Sequence, residues 1–312
     1  EMFFMAKEEY SENPYQVDGE VVFENRLMDT TTNDQALTPL STTIPGVGST
    51  FQIIKRGQDI LGEAIGDLEY DCSVSMSSDG TRVAIGGPYN DGAGIDAGHV
   101  RVFYDNNGTW EQVGQDIEGE AAYDFFGVSV SMSSDGTRVA IGAPANDGAG
   151  VGGSYPVMTG HVRIFEDISG TWTQMGQDID AEATGDRLGW SVSMSSDGTR
   201  VAIGAPYNEP RNFPDVAGHV RVYDWNSGTS NWTQVGLDID GEAAYDQFGY
   251  SVSMSSDGTR VAIGAPSNDG TAGNAGHVRI FEDVSGTWTQ MGQDIDGEIT
   301  YDSSGQSVSM SS

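Results

Sequence analysis

The stretch SVSMSSDGTRVAIG occupies Ser73–Gly86, returns at Ser129–Gly142, Ser191–Gly204 and Ser251–Gly264, and begins again at Ser307. Its methionines, Met76, Met132, Met194, Met254 and Met310, stand 56, 62, 60 and 56 residues apart. That period suits one small sheet per repeat in a radial or stacked array. Inside the stretch, Ser129, Ser131 and Ser133 alternate with Val130 and Met132, and Val139 and Ile141 alternate with Ala140 and Gly142. Alternation of period two marks strands, and Asp-Gly between two such runs marks a hairpin with a tight primed turn. One face carries large side chains and the other small ones, so a sheet of this kind can pack against copies of itself.

Outward from the hairpin, each repeat supplies two more β-like runs. In the second repeat the four runs are Phe126–Ser133, Thr137–Ala143, His161–Glu166 and Trp172–Ile179. Strand three follows a loop of variable length, Pro88–Gly98, Pro144–Gly160, Pro206–Gly218 and Pro266–Gly276, so the insertions share one face. Strand four brings Trp110, Trp172, Trp232 and Trp288 into register, which predicts packing rather than a ligand platform. The expected fold is all-β, a β-propeller of four-stranded antiparallel blades.

Residues 61–312 hold the repeats, and residues 1–60 form an N-terminal segment supplying closing strands and a Thr/Pro-rich loop at Thr30–Ser49. Met2–Ala6 stands in for strand two, Gly19–Asn25 for strand three, and Phe51–Ile60 ends in the same Gly-Gln-Asp-Ile as strand four. With Ser307–Ser312 as strand one, the termini would share a fifth blade and remove exposed sheet edges. Five blades are favoured on this count. The alternative is part of a seven-bladed or longer array.

Composition narrows the partners. Asp and Glu total 47 against 14 Lys and Arg, a formal net charge of -33. Such a field repels phosphate backbones and anionic lipid, so no nucleic acid is expected. No apolar run of about 18 residues exists, so no membrane insertion is expected. The start, EMFFMAKEEY, lacks the basic flank and apolar core of a secretory signal, although a cleaved signal would leave no trace. Cys72 has no second cysteine to pair with, and in register it replaces Val128, Trp190, Tyr250 and Gln306, a filler position rather than a reactive thiol.

The run F-G-x-S-V-S, then V-A-I-G-A-P, then G-H-V-R-V-F resembles the FG-GAP repeat of integrin-α-like β-propellers. It is read at Phe126–Gly127 and Phe248–Gly249, and at Gly142–Pro144, Gly204–Pro206 and Gly264–Pro266. With WTQxGQDIDGEA, it is also similar to large secreted repeat proteins of marine microalgae. The resemblance implies an extracellular or cell-surface location and an adhesive, matrix or appendage role. It also implies calcium between strands one and two, yet this chain offers only Asp79, Asp135, Asp197 or Asp257 there, too few oxygens. In the first repeat Tyr70–Asp71 replaces Phe-Gly, and Gly86–Pro88 reads Gly-Gly-Pro.

The better metal candidate is the connection from strand four to strand one. Its carboxylates are Asp116, Glu118 and Glu120; Asp178, Asp180 and Glu182; Asp238, Asp240 and Glu242; and Asp294, Asp296 and Glu298. Hard oxygen donors this close, beside Gly, suit calcium; solvated acids or partners for the repeated arginines are the alternative. His99, His161, His219 and His277 head strand three and read as structural groups. Asn107 and Asn231 open N-glycosylation sequons.

No Ser-His-Asp arrangement breaks the repeat register, and near-identical blades offer every group several times, which suits multivalent contact better than catalysis. The expected function is therefore a non-enzymatic extracellular structural or adhesive protein, a building block of an appendage, matrix or filament. It would self-associate or meet other extracellular surface proteins. A propeller binding carbohydrate or protein through its variable loops is the alternative, with glycans as partners, and a secreted hydrolase is the second.

Overall fold

The computed structural model describes residues 2–6, 23–27, 40–43, 50–53, 57–63, 72–147, 158–208 and 217–311. They contain strands and turns and no helix, so no helix is long and apolar enough to cross a membrane. The chain divides into two units, residues 1–59 and 60–312.

In the first unit, β1 (Met2–Ala6) pairs antiparallel with β2 (Phe23–Leu27), and β3 (Leu40–Thr43) with β4 (Thr50–Ile53). Two expectations change. Leu40–Thr43 lies in the stretch read as loop, yet it is a strand. Phe4 faces Asn25, one residue away from the register that the repeats would impose. The short Thr-rich run has the β-branched side chains that favour an extended backbone.

Among the described residues, the second unit holds four sheets of one design. The first comprises β5 (Val74–Met76), β6 (Arg82–Gly87), β7 (His99–Asn106), β8 (Thr109–Gln112) and β9 (Ile117–Glu118). The second has β10 (Ser129–Met132), β11 (Arg138–Ala143), β12 (His161–Asp167), β13 (Trp172–Gln174) and β14 (Ile179–Asp180). The third has β15 (Ser191–Met194), β16 (Arg200–Ala205), β17 (His219–Asn226), β18 (Asn231–Gln234) and β19 (Ile239–Asp240). The fourth has β20 (Ser251–Met254), β21 (Arg260–Ala265), β22 (His277–Asp283), β23 (Trp288–Gln290) and β24 (Ile295–Asp296). The four-stranded antiparallel blade of the sequence is present, with strand four in two pieces that both pair with strand three. Residues 176–178 leave the ladder between those pieces, and Gln177 there clamps the next blade: its amide donates to Trp232 O and accepts from Trp232 N, at 2.9 and 3.2 Å.

The hairpin corrects a detail of the expected turn. Ser133 N–H donates to Arg138 O at 3.0 Å, closing a four-residue loop rather than a two-residue primed turn. Gly136 takes a φ of 71°, whereas Asp135 keeps a negative one and acts through its side chain. Its Oδ1 accepts from Thr137 N, Thr137 Oγ1 and Ser133 Oγ at 2.9, 2.8 and 2.7 Å. The same three bonds recur at Asp79 and Asp257 and hold both carboxyls down at about 2, the Thr backbone N–H contributing most.

Blades stack large face against small. Val130, Met132, Val139, Ile141 and Phe165 of the second blade bury against Ala84, Val100 and Val102 of the first. The third and fourth blades repeat the arrangement on Ala140, Val162 and Ile164, and on Ala202, Val220 and Val222. The receiving face is small only in strands one and two, since strand three brings Val and Ile to it. Each Trp of the later blades also binds backward: Trp172, Trp232 and Trp288 donate Nε1–H to Val113 O, Met175 O and Val235 O at 2.9, 2.8 and 3.0 Å.

Two further contacts explain the repeated residues. Strand one of each blade presents edge amides to the blade before it, and serines there accept them. Met132 N donates to Ser75 Oγ, Met194 N to Ser131 Oγ and Met254 N to Ser193 Oγ, each at 2.9 Å. Met310 N donates to Ser253 Oγ in the same way, so the fifth copy of the motif continues this ladder although it joins no sheet. Second, the Gly of Gly-Ala-Pro lies against the glycine that precedes strand one of the next repeat, in Leu188-Gly189, Phe248-Gly249 and Ser304-Gly305. A Cβ on Gly142, Gly204 or Gly264 would collide with the carbonyl of Gly189, Gly249 or Gly305. Those partners have φ of 89°, which only Gly adopts cheaply.

Candidate functional site

Chemistry-bearing side chains gather where strand three begins and strand four passes into the next strand one. Each histidine is paired by backbone to the Ala or Gly of strand two and to strand four, and is about 1% exposed. Nδ1 of His99, His219 and His277 lies 3.9, 3.8 and 3.8 Å from Oδ2 of Asp116, Asp238 and Asp294. A glutamate from the preceding repeat completes three of four sets: Glu63, His99 and Asp116; Glu120, His161 and Asp178; Glu242, His277 and Asp294. The fourth set is His219, Asp238 and Asp240.

An arginine two residues past each histidine enters the same place. Arg163 reaches Glu120 at 3.3 Å, Arg279 reaches Glu242 at 3.2 Å, and Arg221 bonds Glu182 at 2.6 Å and Asp238 at 3.2 Å. Arg101 does likewise with Glu63 at 3.5 Å. Gln112, Gln174, Gln234 and Gln290 donate to the other oxygen of Asp116, Asp178, Asp238 and Asp294. Phenylalanines cover the guanidinium of Arg101, Arg163 and Arg279, with Arg163 4.5 Å from the centroid of Phe126. The strand-two arginines pair as well, Arg138 with Glu166, and Arg200 with Asp224 of its own blade and Asp283 of the next.

The structure therefore divides the twelve candidate ligands. The first of each loop (Asp116, Asp178, Asp238, Asp294) turns to its own blade's histidine. The third (Glu120, Glu182, Glu242) turns to the next blade's arginine, leaving Glu298 exposed. The middle ones, Glu118, Asp180, Asp240 and Asp296, are exposed. Three carboxylates of one loop do not converge, and each His set offers two carboxylates beside a guanidinium. Calcium asks for six to eight oxygens, so these residues fit a charge network between blades better than they fit the ion.

The next acid in the sequence is structural. Asp124, Asp186 and Asp246 are buried, and each accepts the backbone N–H three residues before it, from Ala121, Ala183 and Ala243. Asn146 and Asn268 donate to Asp124 and Asp246, tying the start of the variable loop to the connection. Burial pushes the Asp124 carboxyl up. Asn107 is exposed at φ 52°, in the turn between β7 and β8, and Asn231 is exposed at the start of β18. Cys72 is also exposed, so its place is at the surface rather than in the core.

Burial first, and the neighbouring arginine second, push His161 and His219 down to about 4. The unfolded chain takes up these protons near 6.5 and the folded chain only near 4. Stability from the neutral rings is thus complete above about pH 6.5 and is lost as pH falls toward 4. Melting midpoints measured from pH 8 to pH 4 should fall across that window, and His161→Gln should flatten the dependence.

Sequence reading missed three residues of this face. Tyr123, Tyr245 and Tyr301 stand in register one residue before the structural aspartate, with φ of 68°, 69° and 67°. Gly185 in an equivalent position was the available signal.

Residues 118–157 and 237–281 match the FG-GAP repeat. No curated protein matches the chain in sequence. Among solved structures, a candidate 6-phosphogluconolactonase from Bacteroides uniformis is similar at a TM-score of 0.50 and 14% identity, over 81% of this chain and 62% of that one. A periplasmic gluconolactonase from Pseudomonas aeruginosa is similar at 0.49 and 16%, over 72% and 57%. The chain thus spans less than two thirds of their length, and at these identities the likeness bears on fold alone. The chain is an all-β, propeller-like repeat protein that carries FG-GAP repeats in two of its segments.

Proposed function

We propose that this chain is a non-enzymatic structural or adhesive module that works outside the cell, through contacts presented repeatedly by near-identical blades. The observation that carries this reading is the repetition of the His, Arg and carboxylate sets. Each set meets the adjoining repeat in the same manner, as a scaffold requires and a single asymmetric reaction centre does not. High negative charge keeps such a surface dispersed and disfavours polyanionic partners. Glycans on Asn107 and Asn231 belong to the same reading, because both side chains are exposed beside turns.

Imaging of the native particle together with surface labelling of intact cells tests the proposal. Rows or filaments of repeated units at the cell surface are expected, with a mobility shift on deglycosylation. Monodisperse protein confined to the cytosol would overturn it. Calcium is tested separately by melting with and without chelator. Because arginine and glutamine already engage the first and third carboxylates of these loops, coinciding midpoints are expected. The second reading, recognition by the loop face, is favoured by the three tyrosines.

A further inference from the structure

Tyr123, Tyr245 and Tyr301 sit where their own backbone disfavours them. A φ near 68° is a left-handed conformation that a bulky residue rarely takes, and strain of this kind persists where function requires the side chain. Glycine is the cheap solution, and Gly185 supplies it at φ 93° in the connection between the second and third blades. Packing does not offset the strain: the three residues are 45%, 63% and 76% exposed. None makes a hydrogen bond, ion pair or ring contact through its side chain among the described residues. Exposed aromatic rings at repeated, strained positions are better explained by contact with a partner than by folding.

Backbone bonds fix where the rings stand. Tyr123 N donates to Ile95 O at 2.7 Å and Phe125 N to Asp96 O at 3.1 Å, so this turn is stitched to the variable loop after strand two. Tyr301 N donates to Gly273 O at 3.0 Å and Ser303 N to Asn274 O at 3.2 Å in the fourth blade. Ile95 and Ile299 add exposed apolar area beside two of the tyrosines, at 58% and 65%. Asp91, Asp269 and Glu298, all exposed, add negative charge in the same segments.

We propose that these tyrosines are the contact points of the loop face and that their partner is a cationic polypeptide. Its Lys or Arg side chains would lie over the phenol rings and meet the neighbouring carboxylates. A cation over an aromatic face and beside an acid gains from both, and a formal charge of -33 draws basic chains and repels acidic ones. Recurrence along the array lets one extended basic segment engage several rings at once. This inference rests on the contact function proposed above but not on its location.

The test compares the wild-type chain with the triple variant Tyr123→Gly, Tyr245→Gly and Tyr301→Gly, and with the corresponding triple Tyr→Phe. The probes are an arginine peptide of about ten residues and a neutral chitin hexasaccharide, titrated calorimetrically at about 0.15 M salt, where long-range attraction is screened. Binding of the arginine peptide is expected to weaken at least about tenfold in the Gly variant and to stay near wild type in the Phe variant. The melting midpoint of the Gly variant should equal or exceed that of wild type, because the substitution relieves strain. Unchanged peptide binding in the Gly variant would overturn the proposal. So would a lowered midpoint, which would make the rings structural, or tyrosine-dependent binding of the hexasaccharide alone. A cytosolic location would overturn the extracellular reading and leave this result standing.

Discussion

Gly204→Ala should lower the stability of the repeat unit by about 3 kcal/mol, although it adds one methyl group. Gly204 has an ordinary φ, so the backbone itself tolerates alanine, and the cost comes from the neighbour. The new Cβ would enter the carbonyl of Gly249, the glycine of the next Phe-Gly, which is backbone and cannot swing aside. Relief requires the third and fourth blades to separate along strands two and one, opening the cluster of Ala202, Val220, Val222, Ile263 and Ala265. Gly292→Ala is the comparison. Gly292 has φ 74° and open space around it, so alanine there costs only the conformational penalty, about 1 kcal/mol. Chemical denaturation of the two variants should rank them in that order.

Phe248→Ala should cost about 3–5 kcal/mol, and Phe248→Leu below about 1.5 kcal/mol. Phe248 is fully buried, meets Phe281 edge-on with centroids 6.2 Å apart, and has the Arg279 guanidinium 5.5 Å from its ring. Alanine would leave a void between the third and fourth blades and strip the arginine of its aromatic cover. Leucine is already the native solution at the equivalent Leu188, also fully buried, so the site accepts its shape. The ranking follows from what the Phe of Phe-Gly does. It is an anchor that fills the floor of the interface, while the adjoining glycine lets the chain turn closely under it.

Much of this was legible in the sequence. The alternation of Ser with Val and Met gave the strands and the large and small faces, because period two has one geometrical meaning on a pleated sheet. The repeated Trp declared its packing role, and the repeated arginines stood as the alternative partners for the acidic connection. What stayed hidden depends on the neighbouring blade. Ser75, Ser131 and Ser193 read as merely small, yet they accept edge amides about sixty residues away in sequence. Asp178, Asp180 and Glu182 read as one cluster, but the first is drawn to His161 and the third to Arg221, so a local motif disperses across an interface. The split of strand four arises likewise, since Gln177 leaves its ladder to clamp Trp232. The strained φ of Tyr123 has no signature in its own residue type, and only alignment with Gly185 exposes it.

The repeated residues serve blade-to-blade contacts, and the serine ladder tests this most sharply. Amide hydrogen exchange in the native state reads it residue by residue. In the wild-type chain, Met194 N–H should be protected as strongly as the ladder amides of the third sheet, although no strand of its own sheet accepts it. Ser131→Ala should release Met194 and leave the amides of β16 and β17 unchanged. Immediate exchange of Met194 in the wild type, at the rate of an open sheet edge, would contradict the account.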